Sequence, residues 1–382
     1  METLILGWYI LVETDSVILL TVFASMQYFG TLVAPMLGAF ADRLGRRTLL
    51  CLMRGFYAVM ATVVMALGLT DQLNPVYVFI TAACMGMVRP SDLVMRNTLV
   101  ADTMPPDRLA NAMGLSRATQ DSARIAGALA GAGLFSVLGI GVAYIFVAAF
   151  YLMSLGLTFG VSRVRPGQEE QAAHARTLPR QRFPIWRELR EGIAYIWATP
   201  RVLAVMCLAF MVNLTAYPIS HGLLPFVAKE VYALDENGLA QLVAGFGAGA
   251  LTASMLMAFV GGSRRPVRFM LVCIVLWYST LLLFGQATDK VMGLPVLFLI
   301  GITQGVAMLS MSVALLSIVT PSLRGRIMGV RSMAIYGLPI GLVGSGAMIE
   351  WIGFTATVNT YCAVGLFFTV LVGVKWRDAI WR

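Results

Sequence analysis

The chain has 382 residues, of which 59% are hydrophobic and 12% charged, and its formal net charge at pH 7 is +9. A soluble domain carries about 25% charged residues, so this composition excludes an ordinary water-soluble globular protein. The apolar residues form runs that approach or exceed about 20 residues, the length of α-helix that crosses about 30 Å of hydrocarbon. The sequence therefore predicts an all-α membrane protein and not a transmembrane barrel.

Eleven apolar runs in chain order predict membrane-spanning helices, and a shorter apolar fragment precedes them at residues 1–14. The runs lie at residues 17–40, 48–69, 75–102, 109–137, 140–162, 201–228, 238–260, 268–286, 292–319, 324–350 and 353–375. Pro, Gly, Asp and Asn residues, which favour turns, separate many of them. The fragment is too short to span, because a helix of 13 residues reaches only about 20 Å.

Two parts of the chain resemble each other, since "NAMGLSRATQDSARIAGALAGAG" from Asn111 is similar to "RIMGVRSMAIYGLPIGLVGSGAM" from Arg326. Such a duplication predicts two six-helix bundles related by a pseudo-two-fold axis. We place the N-terminal bundle at residues 1–162 and the C-terminal bundle at 201–382. By the repeat spacing, about 16 residues before Met1 would complete the first helix of a twelve-helix plan. Either the start codon is misassigned, which we favour, or the first helix is truncated and about eleven spans are complete.

A polar segment at residues 163–200 links the predicted bundles on the cytoplasmic side. Its first part is polar and contains proline, as is typical of a mobile linker. Its second part, about 184–198, has apolar residues at three- and four-residue spacing after Pro184. This pattern predicts an amphipathic helix that lies at the inner membrane surface or packs on the cytoplasmic ends of the spans.

The distribution of positive charge predicts the orientation. The loops that we place on the inside hold twenty Lys and Arg residues, whereas the outer loops hold two, Lys229 and Lys290. This bias predicts a cytoplasmic C-terminus and accounts for much of the net charge, so no nucleic-acid partner is expected. The five cysteines all fall in apolar runs without the spacing of metal ligands. We expect no metal and no cofactor.

The turn after residues 17–40 carries "GAFADRLGRR". Its glycines permit a tight turn and its arginines can bind carboxylates across the gap between helices, with Asp102 as a candidate partner. Here the sequence resembles the major facilitator superfamily, whose cytoplasmic loop has the pattern G-x-x-x-D-R-x-G-R-R/K. The resemblance implies a cytoplasmic gate; the alternative is a plain positive turn. The gate residues are Gly38, Asp42, Arg43, Gly45, Arg46, Arg47 and Asp102.

Within the superfamily the chain looks most like the exporter branch that includes the enterobactin exporter and macrolide-efflux-like proteins. The residues that carry this likeness include "RPSDLVMRNTLVADTMPPDRLANAMGL" from Arg89 and "LRGRIMGV" from Leu323. Two positions depart from the pattern of drug/proton antiporters, because Ala83 replaces an arginine and Ala128 replaces a proline. Antiport of drugs against protons is therefore not implied by the resemblance alone.

Two neighbouring runs carry charges deep in the predicted membrane. Spacings of three and four residues place each trio on one helical face, about 15–20 Å from the turn between the helices. A charge at this depth costs at least about 2.5–3.5 kcal/mol. The group either pins the two helices together or, since four arginines and two aspartates leave +2, binds an anionic group or exchanges protons. Its residues are Arg89, Asp92, Arg96, Arg117, Asp121 and Arg124.

We find no nucleophile, metal or nucleotide motif of a membrane enzyme, and His221 is interpreted as structural. The resemblance and the charges together predict a secondary transporter of the bacterial inner membrane. We expect it to export a small amphipathic molecule, which can be anionic, by alternating access. The proton gradient is the expected energy source. The alternatives are a lipid or lysophospholipid flippase of the same fold and a non-transporting sensor. The expected partners are the substrate and the lipid bilayer, and we expect a monomer.

If Asp42 acts on the gate, Asp42→Asn will lower transport more than it lowers membrane insertion, because the motif's carboxylate does not determine topology. Flux per inserted protein and the amount of inserted protein are the two quantities to measure. An equal loss of both would indicate a role in folding.

Overall fold

The structure is a computed structural model that describes residues 1–31, 46–103, 109–160, 194–260, 266–319, 331 and 333–377. Within these ranges every regular element is a helix, so the all-α prediction is confirmed. The helices are α1 Glu2–Thr14, α2 Val17–Met26, α3 Arg46–Leu69, α4 Pro75–Thr103, α5 Leu109–Phe159, α6 Pro200–Thr215, α7 Glu236–Val260, α8 Pro266–Gln286, α9 Lys290–Ile318, α10 Gly337–Ile352 and α11 Phe354–Lys375.

Eight helical stretches among the described residues are long and apolar enough to cross a membrane. This number supports a multi-pass membrane protein, while the exact twelve-helix plan stays a prediction. Helix α4 is 29 residues long but is not one of the eight, and it is the helix that carries the charged stretch "RPSDLVMR". Of the predicted amphipathic helix at 184–198, the structure describes residues 194–198, which are helical.

Two helix boundaries show how local residues shape the chain. Inside α5, Gly139 has φ 74° and ψ 176°, a conformation that is open almost only to glycine. The break falls between the runs predicted at 109–137 and 140–162. The run predicted at 17–40 is not a continuous helix, because α2 ends at Met26 and a 3-10 turn follows at Phe29–Thr31.

The chain beyond α6 is irregular where the sequence predicts one span to residue 228. Pro218 begins a π-helical turn, Pro218–Gly222, and a second such turn follows at Val227–Val231. Proline cannot donate a backbone hydrogen bond and so disturbs the regular helix. Single π-turns inside helices occur frequently at functional sites.

The described residues belong to two compact units. The first unit contains Met1–Met26, Ala118–Gly139 and Gly192–Arg382, and the second contains Gln27–Arg117 and Ile140–Glu191. The domain boundaries predicted at residues 162 and 201 stay a prediction. In the second unit, the apolar side chains of α3 pack against Met95 of α4, with Leu49, Leu50 and Met53 all buried.

In the first unit, glycines bring helices into close contact. Gly341 of α10 lies so near the carbonyl of Leu214 in α6 that any side chain at position 341 would overlap backbone atoms. The Gly341 carbonyl also accepts a 2.8 Å hydrogen bond from the Tyr361 hydroxyl of α11. Small residues allow this approach between membrane helices, where packing and hydrogen bonds replace the hydrophobic effect between helices.

Gly341→Ala will therefore destabilise the protein by about 1–3 kcal/mol, the usual cost of overpacking. The matched control is Gly373→Ala on α11, where an added methyl group meets nothing within 4 Å. Thermal unfolding in detergent measures the difference. Equal midpoints for the two variants would contradict the close packing of α10 on α6.

Candidate functional site

The stretch "RPSDLVMR" lies within α4 and contains a proline. Pro90 sits inside this helix and cannot donate to the carbonyl of Gly86 one turn earlier. The 3-10 turn after α2 packs here, since a side chain at Gly30 would overlap the carbonyls of Gly86 and Met87. Arg89 donates from Nη1 to Oε1 of Gln27 at 2.5 Å. The close approach at Gly30 and the hydrogen bond of Arg89 thus hold the chain after α2 against α4.

Asp92 of α4 forms an ion pair with Arg54 of α3. Nη2 of Arg54 lies 3.2 Å from Oδ1 and 3.3 Å from Oδ2 of Asp92. The two side chains are only 15% and 14% exposed. Arg54 is eight residues from the start of α3, which corresponds to about 12 Å along the helix axis. The pair is therefore well inside the apolar part of the second unit.

The sequence analysis did not select Arg54. Its available signal was a single charge in an otherwise apolar run, which in a membrane protein indicates a functional or paired residue. The pair is also incompletely satisfied, because Nε of Arg54 is buried and has no hydrogen-bond partner among the described residues. Removing one member of a buried ion pair leaves an uncompensated charge and is strongly destabilising.

The second predicted trio belongs to α5. Asp121 is buried, with 3% of its surface exposed, whereas Arg124 is exposed. Both lie in the first unit, while Arg89 and Asp92 lie in the second. The side chains of Arg96 and Arg117 lie outside the described residues. The predicted pairing between the two trios therefore stays a prediction.

The structure describes only the C-terminal end of the predicted gate motif. Gly38, Asp42, Arg43 and Gly45 lie outside the described residues, as do the side chains of Arg46 and Asp102. Arg47 donates to the carbonyls of Thr158 (3.4 Å, from Nε) and Phe159. These are the last carbonyls of α5, which lack helical partners and carry the negative end of the helix dipole. Arg47 thus caps a helix, and the gate itself stays a prediction.

A polar and aromatic cluster surrounds the first π-turn of the first unit. The Ser220 hydroxyl donates to Oε1 of Gln304 at 2.8 Å and lies 3.2 Å from Nδ1 of His221. The His221 ring is 5.0 Å from Tyr217 and 5.1 Å from Phe246 between centroids. The sequence analysis interpreted His221 as structural. The sequence signal for this cluster was a proline, Pro218, followed by the polar residues Ser220 and His221 within an apolar run.

An ion pair on the predicted outer side ties the turn between α1 and α2 to the segment beyond α6. Nζ of Lys229 lies 2.6 Å from Asp15, 3.2 Å from Glu230 and 3.4 Å from the carbonyl of Leu11. The hydrogen bond from Lys229 to Asp15 raises the pKa of Lys229 above its usual range. The stabilisation is therefore complete below the normal pKa of lysine and is lost only at higher pH, so it persists at neutral pH.

These features define a multi-pass helical membrane protein with charges paired in its interior. A family model described as Major Facilitator Superfamily matches residues 4–343, and the chain belongs to this superfamily. The fold resembles the crystal structure of the human organic anion transporter MFSD10 (TETRAN), with a TM-score of 0.63 and 18% identity over 93% of this chain and 83% of that chain. No curated protein matches the sequence. Membership of this superfamily indicates that the protein is a membrane transporter and not an enzyme.

Replacing Arg54 tests the ion pair. Arg54→Gln leaves the Asp92 carboxylate without its cation, so we expect a loss of about 3 kcal/mol in stability and a lower yield of folded protein. Arg377→Gln, at an exposed position after α11, is the control. Size-exclusion profiles and thermal midpoints in detergent provide the measurement, and identical behaviour of the two variants would show that the pair contributes nothing.

Proposed function

We propose that the protein is a secondary active transporter of the bacterial inner membrane, with a cytoplasmic C-terminus. It exports a small amphipathic molecule, which carries an anionic group, by alternating access, and the proton gradient drives it. Membership of the major facilitator superfamily supports transport by this fold. Export is proposed from the resemblance to the exporter branch, whereas proton coupling and substrate class are supported by the charges inside the helices.

The observation that carries the proposal is the ion pair between Arg54 and Asp92. Arg89 lies three residues before Asp92 on the same helix, is exposed, and donates to Gln27. Ionisable residues inside membrane segments are expensive, and they mark ion and substrate pathways. Arginine side chains in an apolar protein attract an anion, and the Asp92 carboxylate is a candidate for proton exchange.

Proton coupling follows from the same pair. When Asp92 is ionised, it holds Arg54 by charge and hydrogen bonds. Protonation of Asp92 removes the negative charge and weakens this hold, so Arg54 can then interact with another group. The pair thus has two discrete arrangements, and a proton gradient biases the choice between them. The fold's similarity to an organic anion transporter is compatible with an anionic substrate.

The substrate must be identified first, by comparing the metabolites retained in cells that lack the gene with those in complemented cells. Uptake of the identified compound into inverted vesicles under a pH gradient then measures export. We expect Asp92→Asn, Asp121→Asn and Arg124→Gln to lower this flux about tenfold or more per folded protein. Asp92→Asn leaves Arg54 without its counter-charge and lowers the folded yield, so flux is expressed per folded protein.

Folded yield is measured in parallel, with Arg377→Gln as the control. Collapse of the yield in all three variants, or unchanged flux in folded protein, would contradict the proposal. Scrambling of labelled lipid in reconstituted vesicles, without metabolite flux, would identify a flippase instead. Absence of both activities would identify a non-transporting protein.

A further inference from the structure

Arg331 is a second interior arginine that the sequence analysis did not select. It precedes α10 and is half-buried in the first unit. Its Nη1 donates a 2.7 Å hydrogen bond to the hydroxyl of Ser312 on α9. Among the residues that the structure describes, no carboxylate forms an ion pair with Arg331, so its closest polar partner there is a neutral hydroxyl.

The position of Arg331 makes this arrangement unusual. Ser312 is six residues from the Ile318 end of α9, about 9 Å along the helix. An arginine this close to a helix end can extend its side chain to the water interface. Arg331 instead donates into the interior, to a residue of the neighbouring helix. A charge in this setting costs several kcal/mol when it has no counter-charge, and an anionic ligand would supply one.

Aromatic and polar side chains continue from Arg331 along the same unit. Gln304 of α9 accepts a hydrogen bond from Ser220, which is next to His221, and the His221 ring lies 5.0 Å from the ring of Tyr217. Tyr217, His221 and Arg331 are each half-buried and so present part of their surface. Gln304 lies on the same helix as Ser312, eight residues or about 12 Å nearer to the start of α9.

We propose that this strip is a binding site for an aromatic or otherwise apolar molecule that carries one carboxylate or sulfonate group. The guanidinium of Arg331 binds the anionic group, since arginine pairs with such groups through two parallel hydrogen bonds. The rings of Tyr217 and His221 contact the apolar body. Gln304 and Ser220, which are buried and hydrogen-bonded to each other, form the far end of the strip. The inference rests on the proposed function in treating the bound molecule as a transport substrate.

The test uses two fluorescent probes of similar shape, dansylglycine with a carboxylate and dansylamide without one. Each is titrated into the full-length protein in lipid nanodiscs, and energy transfer from tryptophan reports binding. We expect Arg331→Gln to weaken dansylglycine binding about tenfold or more, the value of a charge-assisted hydrogen bond. Dansylamide binding should not change, and Arg377→Gln should bind both probes as the native protein does.

Arg331→Lys is the second variant, because it keeps the charge and loses the planar fork. We expect a dansylglycine affinity between those of the native protein and Arg331→Gln. Unchanged affinity in both variants, an equal loss for both probes, or no saturable binding of dansylglycine to the native protein would overturn the proposal.

The two proposals fail in different ways. Native protein that binds dansylglycine through Arg331, but shows no pH-driven flux in vesicles, contradicts the transport mechanism and leaves the binding site intact. Conversely, pH-driven flux of an anionic metabolite that is unaffected by Arg331→Gln, with no dansylglycine binding, overturns the site and leaves transport intact.

Discussion

The cost of placing charge in an apolar, membrane-spanning protein governs this structure. Every charged side chain that enters the helix interior loses its water, and its charge must be compensated by a partner, a hydrogen bond or a ligand. Arg54 and Asp92 compensate each other across α3 and α4. Arg331 donates a hydrogen bond to a neutral hydroxyl, so an anionic ligand would supply the missing counter-charge. Paired charge holds helices together, and incompletely paired charge attracts ions and substrates.

Packing and backbone irregularity position these charges. Glycines let helices approach closely, as Gly341 does on α6, so that polar side chains on neighbouring helices come within hydrogen-bond distance. Pro90 removes one backbone hydrogen bond within α4, and Pro218 begins a π-helical turn. The first is next to Arg89 and Asp92, and the second precedes Ser220 and His221. Both prolines thus lie within a few residues of polar side chains that the proposals use.

The lengths of the apolar runs predicted most helices. A helix must be long enough to cross the membrane, and an apolar run of that length is visible in the sequence. The ion pair was not predictable in the same way. Arg54 and Asp92 are 38 residues apart on different helices, and spacing rules describe neighbours on one helix only. Arg331 had a weak signal, since the repeat aligns Ser116-Arg117 with Arg331-Ser332 at a separation of 215 residues. The end of α2 at Met26 was also not predicted. The turn after it packs against another helix, so it extends the apolar run.

A double-mutant cycle at Arg54 and Asp92 shows whether one ion pair serves both folding and transport. Removing both charges in Arg54→Gln/Asp92→Asn leaves no uncompensated ion, as replacing a whole buried pair is often neutral for stability. We predict that the double variant regains the folded yield lost in Arg54→Gln, while pH-driven flux stays absent. Additive loss of yield would contradict the pairing, and recovery of flux together with yield would show that the charges act only in folding.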